Sequence, residues 1–241
     1  MFAGIDACRG GWIVVLAKGA CPLVLTGTDV CETFSEAAKF AASASTIAVD
    51  IPIGLMDRDF REVDERARKL MGRRFMCVFR APPRPVLSAK SYEEAKRRYR
   101  DLCGQGMTKQ AFGIMPKIAE VDKYLRTNPC QREKIFEVHP ELCFRALNGG
   151  QPVLSKKKTE EGIQDRYQLL KRTIQNPQTC AKKVLDEHLR REVKEDDVID
   201  ALAACVTAAI WVSEGNIPWV NPPRDSIGLP MQMRNPPTTI S

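Results

Sequence analysis

Histidine is scarce in this chain: His139 and His188 are the only two in 241 residues. A His-based nucleophilic triad therefore has few ways to be assembled. Three other signatures are missing altogether. There is no Gly-x-x-x-x-Gly-Lys-Ser/Thr phosphate loop, no His-Glu-x-x-His zinc helix and no Gly-x-Ser-x-Gly nucleophile elbow. The chain also lacks a bilayer-length apolar run. Its longest, Ala201 to Val212, is too short to span a membrane and reads as a buried helix. Cysteine is plentiful, with nine residues, but the count is odd and no Cys-x-x-Cys pair occurs. Cys8, Cys143 and Cys205 sit among apolar or small neighbours, as small buried hydrophobes do. With no secretory leader in view, the expectation is a reducing, cytoplasmic setting and no membrane partner.

What is present suits a globular protein that buries a sizeable core. Hydrophobic residues make up 44% and charged residues 28%, both ordinary. The net charge of +7 favours a polyanionic partner, although surface charge kept for solubility accounts for it equally well. Phe2 to Asp6, Trp12 to Ala17 and Leu23 to Leu25 read as three strands joined by tight turns, with Gly10 and Gly11 making the first. A helix over Glu32 to Ala42 and a fourth strand, Thr46 to Pro52, follow. From 53 to 128 the texture changes to charged helices (58–71, 92–102, 108–125) around a basic, proline-rich segment, which predicts a helical insertion. Lys134 to His139 supplies strand five. Helices are then expected over 140–147, 159–175, 181–191 and 196–213, before a proline-rich tail from Gly215 with a strand-like Pro218-Trp-Val220. Three strands in a meander followed by helix-separated strands make a mixed α/β sheet flanked by helices. The reading is one domain over 1–241, interrupted between strands four and five.

Acids stand where chemistry would use them. Asp6 ends strand one and Asp50 ends strand four, and these strands are neighbours in the expected order. Glu137 and His139 share a face of strand five. Asp197 and Asp200 share a face of the last helix. Mg²⁺ and Mn²⁺ are hard cations that take oxygen ligands, and two such ions about 4 Å apart can activate water and stabilise a leaving oxygen. Each acid also has a plain structural role open to it. Asp6 or Asp50 alone can bind loop amides, Asp197 can complement a helix N-terminus, and His139 before Pro140 can cap a helix. Asp200 is different, because an acid beside Ala201-Leu-Ala-Ala inside an apolar helix requires a partner or a metal.

Several stretches resemble a known family: Gly4-Ile-Asp6-Ala-Cys-Arg-Gly-Gly-Trp12, Asp50-Ile-Pro-Ile-Gly54, Val78-Phe-Arg-Ala-Pro82, Gln110-Ala-Phe-Gly-Ile-Met-Pro-Lys-Ile-Ala-Glu-Val-Asp122, Phe136-Glu-Val-His-Pro-Glu141, Ser155-Lys-Lys-Lys-Thr-Glu-Glu-Gly162 and Asp196-Asp-Val-Ile-Asp200-Ala-Leu-Ala. In this order they are similar to the RNase H-like proteins grouped as domain of unknown function 429. The last of them also resembles the final catalytic helix of Holliday-junction resolvases. The resemblance implies an RNase H-like fold and a nuclease activity, with Asp6, Asp50 and Asp200 as metal ligands. Glu137 and Asp197 compete for a fourth catalytic place.

In the insertion, Arg73, Arg74, Arg80 and Arg84 interleave with Phe75 and Phe79, and Lys109 and Lys117 follow. Arginine grips phosphate while an aromatic ring stacks on an unpaired base; a loosely packed surface loop reads the same way. Arg9 beside Asp6 also faces a candidate phosphate position. The run Lys156 to Lys158 reads as a solvated face, with Ser155 or Thr159 as a helix cap. The leading expectation is a Mg²⁺- or Mn²⁺-dependent nuclease acting on DNA or RNA. Two alternatives stand beside it: a non-catalytic nucleic-acid adaptor on the same fold, and an ATP-dependent phosphotransferase of the actin and sugar-kinase type, for which no second glycine-rich phosphate turn is found.

Overall fold

The first fifty residues lay down the frame of the site. In this computed structural model, which describes residues 1–214 and 221–238 (backbone only for 211–214), β1 (Phe2–Cys8), β2 (Gly11–Lys18) and β3 (Val24–Cys31) form an antiparallel meander. Gly11 makes the first return at φ +139°, and a Cβ there would stand 2.0 Å from the Cys31 carbonyl oxygen, so only glycine serves. β3 runs well beyond the Leu23 to Leu25 stretch expected from sequence. It is the edge strand, and Gly27 and Asp29 within it weaken the apolar alternation by which a strand is recognised. α1 (Phe34–Phe40) opens with a capping box in which Thr33 and Glu36 satisfy each other's backbone amides. Its Phe34 meets Trp12 of β2 edge to face at 5.0 Å between ring centroids.

β4 (Thr46–Asp50) returns parallel to β1, and β5 (Ile135–Val138) lies parallel to β4. With β6 (Met233–Arg234) the order is β3-β2-β1-β4-β5-β6. This mixed sheet flanked by helices is the expected RNase H-like α/β arrangement.

The chain contacts divide into two units. One comprises Met1–Asp50, Glu133–Pro218 and Arg234–Ser241; the other comprises Ile51–Arg132 and Trp219–Met233. The second unit contains α2 (Glu62–Met71), α3 (Tyr92–Cys103) and α4 (Lys109–Thr127). Val86, Ala95, Tyr99, Met107, Ala111 and Met115 form its core. Arg61 and Asp64 are buried there as an ion pair, and Arg61 also donates to the Ile53 and Gly54 carbonyls, both at 3.2 Å. The stretch Pro218-Trp-Val220, read as strand-like, lies outside the described residues.

In the first unit follow α5 (Pro140–Leu147), α6 (Glu160–Leu170), α7 (Pro177–Glu187) and α8 (Glu195–Glu214). α7 begins four residues before the Ala181 start expected from sequence. Pro177 occupies its first turn, where the missing N–H costs nothing. α8 is apolar all round over Ala201 to Val206 and is buried accordingly. It packs on Ile13, Val15 and Ala17 of the sheet, with Phe144, Tyr167 and Leu170 of the flanking helices around it. The Thr46 hydroxyl donates to the Ala208 carbonyl at 3.1 Å and ties α8 to β4.

Gly4 is the point of closest approach. A Cβ there would lie 2.1 Å from the Ala201 carbonyl oxygen and 2.2 Å from the Cys205 nitrogen, both backbone atoms that no rotamer change can move. Gly4→Ala should therefore push α8 off the sheet and destabilise the fold by roughly 3 kcal/mol, the top of the usual overpacking range. Urea denaturation of the variant beside the parent checks this. An unchanged midpoint would mean that the helix shifts without cost.

Candidate metal centre

Parallel pairing sets Asp6 directly opposite Asp50. Register partners on parallel strands point to the same face, so these two carboxyls stand side by side where β1 and β4 end. Gly4, two residues before Asp6, shares that face, and α8 lies against it. This delivers Asp200, one residue before Ala201, to the same place. One carboxylate oxygen from each of Asp6, Asp50 and Asp200 lies within 4.8 Å of the others. Asp6 and Asp200 are buried and Asp50 is half-buried.

Three carboxylates this close repel one another, and burial removes the water that would screen them. Burial, with the charges of Asp50, Asp200 and Asp197, raises the Asp6 carboxyl well above the usual range. Asp50 is pushed up to about 8, by burial first and by Asp200 next. Burial likewise raises Asp200, against the opposing pull of Lys157. The Lys157 ammonium donates to Asp200 Oδ2 at 2.6 Å. Burial works against its charge, but Asp200, Asp6 and Asp50 together outweigh burial and hold it above the usual lysine range. Asp6 Oδ1 accepts the amide of Ala7, the next residue of β1, at 2.7 Å. Asp200 Oδ1 is buried with no hydrogen-bond partner among the described residues. A buried carboxylate oxygen left unbonded is costly, and a cluster of oxygen donors with such an orphan fits a hard divalent cation.

A buried ion pair stands behind Lys157. Arg166 of α6 binds Glu141 of α5 at 2.7 Å, and both residues are buried. The same guanidinium donates to the Gly162 carbonyl at 2.8 Å and the Ser155 carbonyl at 3.4 Å. Both Glu141 and the Lys157 loop were in view in the sequence. The run of three lysines read as a solvated face, and only tertiary packing shows that its middle member turns inward.

The other expected site residues are distributed as follows. Glu137 pairs in register with Val49, the residue before Asp50, so it points to the opposite face of the sheet and is not brought to the three aspartates. Asp197 sits one turn before Asp200, with its Oδ2 accepting the Lys194 amide at 2.9 Å at the start of α8. Burial is the main cause that lifts its carboxyl to about 6. His139 caps α5 through Nδ1, which accepts the Glu141 amide at 3.2 Å. Arg9 is exposed at the β1–β2 turn, and Arg73 and Lys109 are exposed in the second unit. Lys117 pairs with Glu120 at 3.9 Å. Arg80 and Arg84, expected to grip phosphate, both have acidic partners. Arg80 binds Glu65 and lies over the Phe60 ring. Arg84 is held by Asp122 at 3.0 Å and by Asp225. Their charges are already matched inside the second unit.

A family model described as "Protein of unknown function (DUF429)" matches residues 4–225. The chain belongs to the DUF429 family. No curated protein and no solved structure matches it. The matched span of this DUF429 chain includes Asp6, Asp50, Lys157 and Asp200.

Two measurements follow. The folded, metal-free chain retains protons on these carboxyls at pH values where the unfolded chain has released them. Stability should thus fall as pH rises from the ordinary aspartate value of 3.8 towards about 8. Asp50→Asn should flatten that decline and raise the melting temperature at pH 8, by about 2–4 °C for each kcal/mol of repulsion relieved. A decline as steep as the parent's would place the repulsion elsewhere. In the second unit, Arg84→Ala takes the shared guanidinium from the buried carboxyls of Asp122 and Asp225, and should cost about 3 kcal/mol. Amide exchange of α4 in the variant reads that loss.

Proposed function

We propose that this chain hydrolyses phosphodiester bonds of nucleic acid with Mg²⁺ or Mn²⁺ held by Asp6, Asp50 and Asp200. The observation that carries this reading is the convergence of three carboxylates from β1, β4 and α8, one of them with a buried, unbonded oxygen. A divalent ion bound there would polarise a phosphoryl oxygen and lower the pKa of bound water. The chain's own residues do the rest. Asp6 and Asp50 are fixed by strand register and need no rearrangement to present their oxygens. Lys157 supplies positive charge where phosphate charge would develop. Asp197 adds negative charge one turn away and favours cation binding over anion binding at the three aspartates. The net charge of +7 and the exposed Arg9, Arg73 and Lys109 suit a polyanion.

The test is a cleavage panel of single-stranded, duplex, hybrid and branched substrates with Mg²⁺ and with Mn²⁺. Asp6→Asn, Asp50→Asn and Asp200→Asn should each bring cleavage to background while the protein stays folded. Mn²⁺ at a hundredfold excess over its dissociation constant should stabilise the parent by about 2.7 kcal/mol, and should leave Asp50→Asn unmoved. Tight nucleic-acid binding without cleavage would make the chain an adaptor. ATP turnover without nucleic acid would make it a phosphotransferase.

A further inference from the structure

We propose that Lys157 is a built-in second cation of this centre, and that the centre therefore takes one divalent ion and not a pair. The inference rests on the metal reading above and sharpens it.

Lys157 is held in place from behind. The Lys156 carbonyl accepts both the amide of Thr159, at 3.0 Å, and its hydroxyl, at 2.8 Å. Thr159 in turn caps α6 by accepting the Gly162 amide at 3.2 Å. Gly162 passes so close beneath that a Cβ would lie 1.9 Å from the Lys156 carbonyl oxygen. Arg166, 0% exposed, clamps the carbonyls on both sides of the run. These contacts fix the backbone that carries Lys157, and its side chain sets the ammonium on Asp200 Oδ2.

The oxygens can then be assigned. Asp6 gives Oδ1 to the Ala7 amide, and Asp200 gives Oδ2 to Lys157. One oxygen remains on each, and the one on Asp200 is buried and unbonded among the described residues. Together with Asp50 they offer one ion a set of three carboxylates. A pair of ions about 4 Å apart needs a carboxylate that lends one oxygen to each. Asp200 cannot be that bridge while Lys157 holds its Oδ2, and Asp6 could be one only through an oxygen shared with the Ala7 amide. The bridge would fall to Asp50, in the same cluster as the Lys157-bound Asp200, where the ammonium repels a second ion. Charge agrees with this assignment. One divalent ion and one ammonium neutralise three carboxylates, and a second divalent ion would leave buried positive charge in excess. The ammonium thus provides the positive point charge that a second ion provides in two-metal centres.

Mn²⁺ binding to the full-length chain tests this, with stoichiometry read by calorimetry and by the paramagnetic resonance of free and bound ion. The parent should bind one Mn²⁺, and Asp50→Asn should lose it. Lys157→Met keeps the aliphatic stem without the charge. It should bind two, with the broadened spectrum of a spin-coupled pair. Lys157→Arg keeps the charge and should bind one. Two ions in the parent overturn the inference, whatever Lys157→Met does and even if that variant fails to fold. A single ion in both the parent and folded Lys157→Met also overturns it, because the limit then lies elsewhere than Lys157. No Mn²⁺ in the parent, or one that survives Asp50→Asn, removes the metal reading itself and this inference with it.

Discussion

The site depends on one close approach, that of the α8 backbone to Gly4. With any side chain at that position the helix would stand off the sheet, and Asp200 would move away from the strand ends. β1 and β4 can bring Asp6 and Asp50 together by register alone. The third acid comes from the far end of the sequence, and its position is set by how deeply a helix of small residues settles onto the strands. Alanines at 201, 203 and 204 permit that depth, and all are fully buried. Packing and chemistry are thus a single constraint here.

Gathering three acids in a buried place opposes folding, and the fold offsets the cost in layers. Lys157 neutralises part of the charge directly. Arg166 and Glu141 form a buried pair that anchors the loop carrying Lys157 and keep their own charges balanced while doing so. The raised carboxyls carry the remainder as bound protons, which a metal ion would displace. The second unit shows the opposite economy. Its Arg61, Arg80 and Arg84 are each paired with acids of the same unit. The contrast between an over-acidic centre in one unit and balanced pairs in the other is what sets the three aspartates apart from ordinary structural charge.

Much of this was legible from the residues. Strand ends marked by Asp6 and Asp50, and an acid inside an apolar helix at Asp200, pointed to one location because strand order and helix periodicity are local properties with simple periods. Glu137 failed by one residue of register: with a period of two, its pairing with Val49 instead of with Asp50 turns it to the other face. Lys157 was missed because charge runs at the surface and charges turned inward have the same composition. The acidic partners of Arg80 and Arg84 were not legible, because they lie 15 to 141 residues away in sequence and no local pattern pairs them. β3 was cut short because an edge strand needs fewer apolar residues than a central one.

The distance in sequence between partners has a consequence for how the molecule is made. Arg84 obtains Asp225 only when a residue 141 positions later has been synthesised. Asp6 meets Asp200 only when the residues between them have been made. A nascent chain therefore carries β1 and β4 without the third acid, and the second unit's helices without the carboxylate that completes their ion pair. Each unit therefore waits for a residue far downstream of its first elements. A chain that stops short of α8 is left with two adjacent aspartates and no centre to put them in.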